Sequence, residues 1–507
     1  MGAQHRWRTS WMPTWLVAIG LLVGGAAGCA GASDDGSRPD ADATAADADG
    51  AGGDATVDAD AAQADADAAD VEADSGEDVG ADDASADAAA DVAVDATGDV
   101  AADATDDTAT DAATDAAADA VSDATDADPD VATDTGADAG GGATLDAVLA
   151  ALREDTEGTM LAMSDDGGWP APIEGGWLFV TTDPGFTHVV GDFEGWTGLA
   201  LTVDDGFRWA HAATLEPTGY KFRGDGDPVQ DVWSRQYVDD AFGRLSLAGW
   251  TGPRLERWFD VDGAGRPGRT VRVWHPGVDW THTLYVHDGQ NVFDPTAIFG
   301  GWRLLDAVDD APLLVVAIDN IGVDRMLEYT HGTDTIGGTT TGGLGAEYGA
   351  YVVDVVRPLI DAEYGEVGPV GTLGSSLGGL VSLNLALDDP GAWDFAASLS
   401  GTIGWGSIGA DGDTILDRWA SEGRVDVAVY LDSGGAGTCV DADGDGVNDD
   451  GESSDNYCEN LQLRDLLDGL GYTFDETLWH WHEAGAPHNE AAWAARVWRP
   501  IEIFLAL

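Results

Sequence analysis

The sequence predicts an α/β fold, a sheet with helices on both faces, preceded by a small all-β sandwich and a disordered acidic tether. Three observations carry this prediction. From about Gly268 onward, strand-length apolar runs alternate with helix-length ones, which marks a parallel sheet with crossover helices. Before that, residues 143–264 hold short β-like runs separated by Gly, Asp and Pro turns, the pattern of a sandwich. Earlier still, residues 39–140 hold 32 Asp or Glu, no Lys or Arg and no aromatic residue. Such a stretch cannot bury enough apolar surface to offset its ordering entropy, and self-repulsion extends it.

The whole chain of 507 residues carries a formal net charge of −72, of which −41 lies from residue 141 onward. Lys221 is its one lysine. A surface this acidic repels phosphates and excludes nucleic acid as a partner.

At the N-terminus, Arg6 and Arg8 precede an apolar segment from Trp15 to Gly25, then Ala26-Ala27-Gly28-Cys29. Residues 1–28 read as a secretory signal, too short for a spanning helix. The small residues before Cys29 resemble the bacterial lipoprotein box, which implies a lipidated Cys29 and a tether over residues 29–142. The expected location is the cell envelope, with the membrane as a partner through the anchor. Ala30 in place of an aspartate points to the outer membrane. Cys439 and Cys458 remain as an even pair in an oxidising compartment and are expected to form a disulfide.

Order is expected to resume with an amphipathic helix at Leu145–Leu152. The runs Trp177–Val180, His188–Val190, Leu199–Thr202, Trp209–His211 and Tyr220–Phe222 follow as strands. Val189-Val190-Gly191-Asp192-Phe193-Glu194-Gly195-Trp196, Gly206-Phe207-Arg208-Trp209 and Tyr220-Lys221-Phe222 resemble the early-set sandwich related to glycogen-binding modules. The resemblance implies sugar contacts at Trp196 and Lys221; the plainer reading of Trp196 is packing at the sandwich edge.

In the α/β part, residues 265–507, the runs Thr270–Trp274, Thr283–Val286 and Leu313–Ile318 read as strands. Glu347–Val356 reads as a helix stopped by Pro358. The centre is Gly374-Ser375-Ser376-Leu377-Gly378-Gly379, set between the strand-like Pro369–Leu373 and the helix-like Leu380–Leu387. Strand, G-x-S-x-G and helix place a serine on a sharp turn with its hydroxyl exposed at the sheet's carboxyl edge. The flanking glycines avoid collision across that turn.

These pieces together resemble a family of α/β-hydrolases that includes enterochelin-esterase-like and feruloyl-esterase-like enzymes. The resembling residues are Tyr285-Val286-His287-Asp288-Gly289-Gln290-Asn291, Arg325 with Glu328-Tyr329, the Ser376 turn, and His488-Asn489-Glu490-Ala491-Ala492-Trp493. The resemblance covers about residues 265–507. It implies an α/β-hydrolase fold and serine ester hydrolysis through an acyl-enzyme.

A nucleophilic serine needs a base that takes its proton, and in this fold the order is Ser, acid, His. His480 and His482 alternate with Trp479 and Trp481 in a strand and read as structural. His488, in the loop beyond, is the expected base. Relatives carry the acid after the strand Val427–Leu431, which leaves Asp455, at the start of the next helix, preferred over Asp432 at the strand end. The oxyanion donors are expected at the amide of Leu377 and at that of Gly289 or Gln290. His287 and Asp288 are expected to brace that loop.

Between the two candidate acids lies an insert, residues 439–458. Numbered from Asp441, oxygen ligands fall at Asp441, Asp443, Asp445, Val447 (through its carbonyl), Asp449 and Glu452, with Gly446 at the sixth position. That is the spacing of a calcium loop, without the flanking helices, and resembles the loops of thrombospondin-type repeats. A structural Ca2+ is expected, and no organic cofactor.

The expected function is a surface-anchored serine ester hydrolase acting on a small-molecule or glycan-linked ester. Two alternatives stand beside it. One is an acyltransferase of the same fold; the other is a calcium-stabilised glycan-binding or adhesive lipoprotein with an inert hydrolase domain.

Overall fold

Alternation between two buried faces builds the sheet that carries the site. In Leu313–Ile318, Leu314, Val316 and Ile318 join the core on one face, while Leu313, Val315 and Ala317 join the core on the other. A strand covered on both sides reads as an unbroken apolar run because its period-two pattern has no polar half. The computed structural model describes residues 143–507 except 166, 241–242, 309–310, 411 and 450–454. The expected signal, the Cys29 anchor, the tether and Glu452 lie outside the described residues.

Among the described residues, nine strands come first: β1 (Ala171–Ile173), β2 (Gly176–Thr181), β3 (His188–Gly191), β4 (Leu199–Ala200), β5 (Thr202–Val203), β6 (Arg208–Ala212), β7 (Thr218–Arg223), β8 (Gln236–Asp240) and β9 (Gly243–Ala248). Ten follow. They are β10 (Arg254–Gly263), β11 (Arg266–His275), β12 (His282–His287), β13 (Leu313–Ile318), β14 (Thr333–Ile336), β15 (Thr339–Gly342), β16 (Val370–Ser375), β17 (Phe395–Leu399), β18 (Ala428–Ser433) and β19 (Leu478–His482).

The small sheet has the order β1-β2-β6-β5, and the large one β19-β18-β17-β16-β12-β13-β11-β10-β8-β9-β7-β3-β4. From β19 to β13 every pairing is parallel. The antiparallel hairpin β10–β11 then joins β13 on one side and β8 on the other. The sheet therefore runs without a break from the α/β part into the all-β part before it. The boundary expected at 264/265 falls in the tight turn of that hairpin.

Pro358 does not stop the helix before it. Helix Gly345–Tyr351 passes through a wide π-turn at Val352–Val356 into Arg357–Tyr364. There the Arg357 N–H reaches back five residues to Val352. This resets the register, so Pro358 sits as in a helix's first turn, where its missing N–H costs little. Among the described residues no helix is long and apolar enough to cross a membrane.

Parallel strands end at a common edge, and the loops beyond their carboxyl ends form the site. Ser376 follows β16, Asp288 follows β12, Asp319 follows β13, Ser400 follows β17, Gly434 follows β18, and His488 lies in the loop after β19.

Candidate active site

Ser376 sits at φ 55° and ψ −125°, between β16 and helix Leu377–Asp388. This is backbone strain for a non-glycine residue, held by the Ser376 N–H to Leu399 O bond at 2.9 Å. A Cβ on Gly374 would come within 2.3 Å of the Gly378 backbone, and one on Gly378 within 3.1 Å of Asp288 Oδ2. Gly374 is therefore demanded by the crossing of strand and helix, whereas a side chain at Gly378 would press on the Asp288 carboxylate. Leu377 opens the helix, so its amide belongs to the first turn, whose N–H groups have no partner within the helix. Gly289 and Gln290 likewise open the short helix Gly289–Val292. A side chain on Gly289 would strike the Ala317 backbone at 2.7 Å.

The Gly289 loop is fixed by a chain of ion pairs. Arg269 on β11 grips the buried Glu328 in two bonds of 2.7 and 2.8 Å. Glu328 shares a short helix with Arg325, whose Nε and Nη2 each donate to Asp288 at 2.9 Å. Asn320 Nδ2 adds a third bond to Asp288 at 2.7 Å, and the Asn320 N–H donates to Gln290 Oε1 at 3.1 Å. Burial alone would raise the Asp288 pKa; Arg325, helped by Asn320, outweighs it and holds the carboxyl below its ordinary value. His287 is enclosed between Tyr348 OH at 2.8 Å and Thr372 Oγ1 at 3.0 Å. Burial lowers its pKa to about 4, so it stays neutral.

His488 Nδ1 lies 2.7 Å from Asp455 Oδ1. A carboxylate only accepts, so Nδ1 carries the proton and Nε2 is left as the basic nitrogen. The Trp493 ring packs edge-on against the imidazole at 5.0 Å. The other oxygen of fully buried Asp455 accepts from Ser400 Oγ at 2.7 Å, Arg496 Nη2 at 3.2 Å and the Gly434 N–H.

Asp432, the other candidate acid, is taken up by Arg496 Nε at 2.9 Å and Tyr430 OH at 3.1 Å. The structure thus brings His488 to Asp455 and gives Asp432 to the arginine behind it. His482 Nε2 lies 3.0 Å from the Gly435 carbonyl, and its ring stacks on Tyr457 at 4.2 Å. Burial, with nearby Arg464, lowers the His480 pKa to about 4.

Arg496, Ser400 and Asn320 were not expected as parts of the site, and Trp493 was expected only as the end of the motif that begins at His488. Ser400 could have been found from its place directly after a buried strand. Nothing local separates Arg496, eight residues beyond His488, from a surface arginine.

In the insert, carboxylate oxygens of Asp441, Asp443 and Asp445 lie within 4.8 Å of one another, all exposed. The Gly444 and Gly446 N–H groups donate to Asp441 at 2.6 and 3.2 Å, and Asp449 Oδ2 accepts from the Ala442 N–H at 2.8 Å. The Val447 side chain is buried in the main core. Cys439 and Cys458 are bonded, with Cα atoms 5.1 Å apart. In the sandwich, Trp196 is half-buried and donates to Asp192 at 2.8 Å. Lys221 lies buried within β7 rather than on an open face.

A cavity of about 270 Å³, lined by Arg235, Arg254, Glu256, His275 and Tyr364, is set apart from these groups. His275 ends β11, which runs antiparallel to β13, so the cavity belongs to the opposite, amino edge of the sheet.

Residues 269–498 match the family model described as "Putative esterase". No curated protein matches the chain. Among solved structures it is similar to the enterobactin esterase from Shigella flexneri, at 15% identity over 65% of this chain and 92% of that one, with a TM-score of 0.37. It is also similar to a siderophore hydrolase from Aspergillus nidulans, at 18% identity over 48% and 92% of the two chains, TM-score 0.36. A third is an IroE-like serine hydrolase from Shewanella oneidensis, at 16% identity over 50% and 79%, TM-score 0.38. Residues 269–498 thus fit the putative esterase family, and the activity that this match supports for them is ester hydrolysis.

Proposed function

We propose that the protein is a serine ester hydrolase working through an acyl-enzyme, with Ser376 as nucleophile, His488 as base and Asp455 as acid. The observation that carries this reading is the 2.7 Å contact of His488 Nδ1 with Asp455 at the same sheet edge as the strained Ser376 turn. Ser376 Oγ attacks the ester carbonyl carbon as its proton passes to His488 Nε2. The oxyanion takes hydrogen bonds from the amides of Leu377 and of Gly289 or Gln290. Collapse expels the alcohol, which leaves with the proton from His488. Water then attacks the acyl-enzyme by the same route and frees the acid. Asp455 stabilises the imidazolium formed in each half.

A fluorophosphonate probe should label Ser376. Ser376→Ala and His488→Ala should each lower turnover by on the order of 10^4 or more, and the double variant should be little worse. Near-full turnover by a folded His488→Ala protein would remove the assignment. A panel of short aryl, feruloyl, acetyl-sugar and siderophore esters, run with and without added alcohol, identifies the acyl group and the acceptor.

The reading includes a lipid anchor at Cys29, supported by the Arg-flanked apolar segment and the small residues before it. Cys29→Ser should move the protein from the membrane to the soluble fraction with catalysis unchanged; unaltered fractionation would end that part. It also includes a structural Ca2+ held by Asp441, Asp443 and Asp445, supported by the convergence of their oxygens.

A further inference from the structure

Behind Asp455 lies more buried charge than a triad needs. Arg496, 1% exposed, divides its guanidinium between two fully buried carboxylates, Nε to Asp432 at 2.9 Å and Nη2 to Asp455 at 3.2 Å. Ser400 joins the same cluster. Its hydroxyl donates to Asp455 Oδ2 at 2.7 Å, and its oxygen accepts from Arg496 Nη2 at 2.5 Å and Trp493 Nε1 at 3.1 Å. Its donor and both of its lone pairs are thus used.

The charges explain why two aspartates share one arginine. An Arg496–Asp455 pair alone would be neutral, and an imidazolium formed at the partly buried His488 would then lack a counter-charge. With Asp432 ionised, the cluster carries one net negative charge while His488 is neutral and none when His488 is protonated.

We propose that Asp432 and Arg496 are positioning residues: Arg496 fixes Asp455 so that Oδ1 faces His488, and Asp432 balances Arg496 so that the charge of Asp455 remains available to the imidazolium. The proposal rests on the triad reading above. The groups facing Asp432 are Arg496, Asp455 and Tyr430, with Arg499 beyond Tyr430; those facing His488 include Asp455 and the Trp493 ring. Burial raises the Asp432 pKa to about 6, with Arg496 opposing and Asp455 reinforcing the rise. Asp432 therefore changes charge within a working pH range. Below about pH 6 it is neutral, and the charge of Arg496 falls on Asp455 alone.

The test is the pH profile of kcat and kcat/KM for the full chain. Asp432→Asn adds one positive charge near His488. It should lower kcat about tenfold or more with KM nearly unchanged, and move the acid limb down by on the order of one pH unit, because the imidazolium is less favoured. The double variant Asp432→Asn with Arg496→Gln restores the charge balance. It should return the acid limb to the wild-type position and recover part of the lost kcat. A structural role alone predicts the opposite, an unmoved acid limb and a double variant worse than either single one; that result overturns the proposal. Should Asp432→Asn fail to fold, Tyr430→Phe withdraws one hydrogen bond from the Asp432 anion and should weaken activity at pH 6 more than at pH 8; equal activity ratios would overturn the proposal. Labelling of wild-type Ser376 separates the two claims, since a missing label sinks the triad and an unmoved limb beside normal labelling sinks only this inference.

Discussion

Two sets of aspartates lie along the one stretch from the end of β18 to helix Tyr457–Gly469, and they are handled in opposite ways. Asp432 and Asp455, at its ends, are fully buried and share Arg496. Asp441, Asp443 and Asp445, between them, are exposed and hold backbone N–H groups of their own turn. A buried carboxylate stands only with a counter-charge and filled lone pairs, and so acquires a fixed orientation. An exposed cluster keeps its hydration, repels itself, and is ordered by local turns or by a cation. The same residue type is thus oriented by a buried counter-charge in one set and by the N–H groups of its own turn in the other, according to what is packed around it.

The largest effect should come from breaking the buried side. Asp455→Ala removes the His488 partner and one of the two carboxylates of Arg496. Turnover should fall on the order of 10^3–10^4-fold, with about 1–3 kcal/mol lost from stability, because Arg496 keeps Asp432 while the buried Ser400 hydroxyl and Gly434 N–H lose their acceptor. Asp441→Ala, in the same connection, should change turnover by only a few-fold. Steady-state kinetics beside denaturant melts check both, and equal losses would erase the distinction between the two sets.

Much of this arrangement is legible in the sequence where local pattern decides. Leu313–Ile318 is an apolar run too short for a helix and becomes β13; Ser376 is marked by its glycines, and His488 by its place after the last strand. What was not legible depends on distant partners. Asp455 is preferred over Asp432 from its place at the helix start, but the packing of Arg496 and Ser400 around the pair, from other loops, leaves no local mark. The hairpin β14–β15 gave no apolar signal, because its buried residue is Asp334, whose oxygens accept the N–H groups of Gly406, Ile408 and Gly409 at 2.8–3.0 Å. The continuity of the sheet across 264 was hidden because a hairpin turn and a domain linker share the same Gly-rich signature, here Gly263-Ala264-Gly265.

A middle-sized effect belongs to the other buried carboxylate of the site, Asp288. Arg325→Met leaves it without the guanidinium that offsets its burial. With the Gly289 loop loosened, kcat should fall about 10–100-fold with KM little changed. The sign with pH follows from the same pairing. In the parent protein the Asp288 pKa is lowered, so its contribution to stability is complete above about pH 4 and is lost only as pH falls through the depressed value. In Arg325→Met burial is opposed only by the weaker contributions of Asn320 and His287, the pKa rises, and stability is lost as pH increases from about 4. The difference in melting temperature between variant and parent should therefore shrink on acidification. A gap independent of pH would show that Arg325 acts by packing alone.

The smallest effect should come from the exposed side, and it tests whether the two sets are linked. Asp441, Asp443, Asp445, Asp449 and Glu452 bring five carboxylates into one short loop, a repulsion that a divalent cation relieves. The loop is tied to the helix that follows Asp455. Gln462 on that helix donates to the Gly446 carbonyl at 2.7 Å and accepts from the Asn448 N–H at 2.8 Å, and the Cys439–Cys458 bridge closes its base. Loosening the loop should therefore reach the helix start where Asp455 is set. Chelation is expected to lower the melting temperature by a few degrees, since a ligand at 100 times its Kd contributes about 2.7 kcal/mol, and to lower turnover a few-fold. Calcium should restore both better than magnesium, whose octahedral demand suits a flexible oxygen loop poorly. Asp443→Asn combined with Asp445→Asn should mimic chelation, whereas Ser376→Ala should leave calcium binding as it was. Isothermal titration of the chelated protein reads this directly. Absence of binding at millimolar calcium would leave an acidic loop closed by a disulfide, and binding without any change in turnover would show that the exposed and buried aspartates act independently.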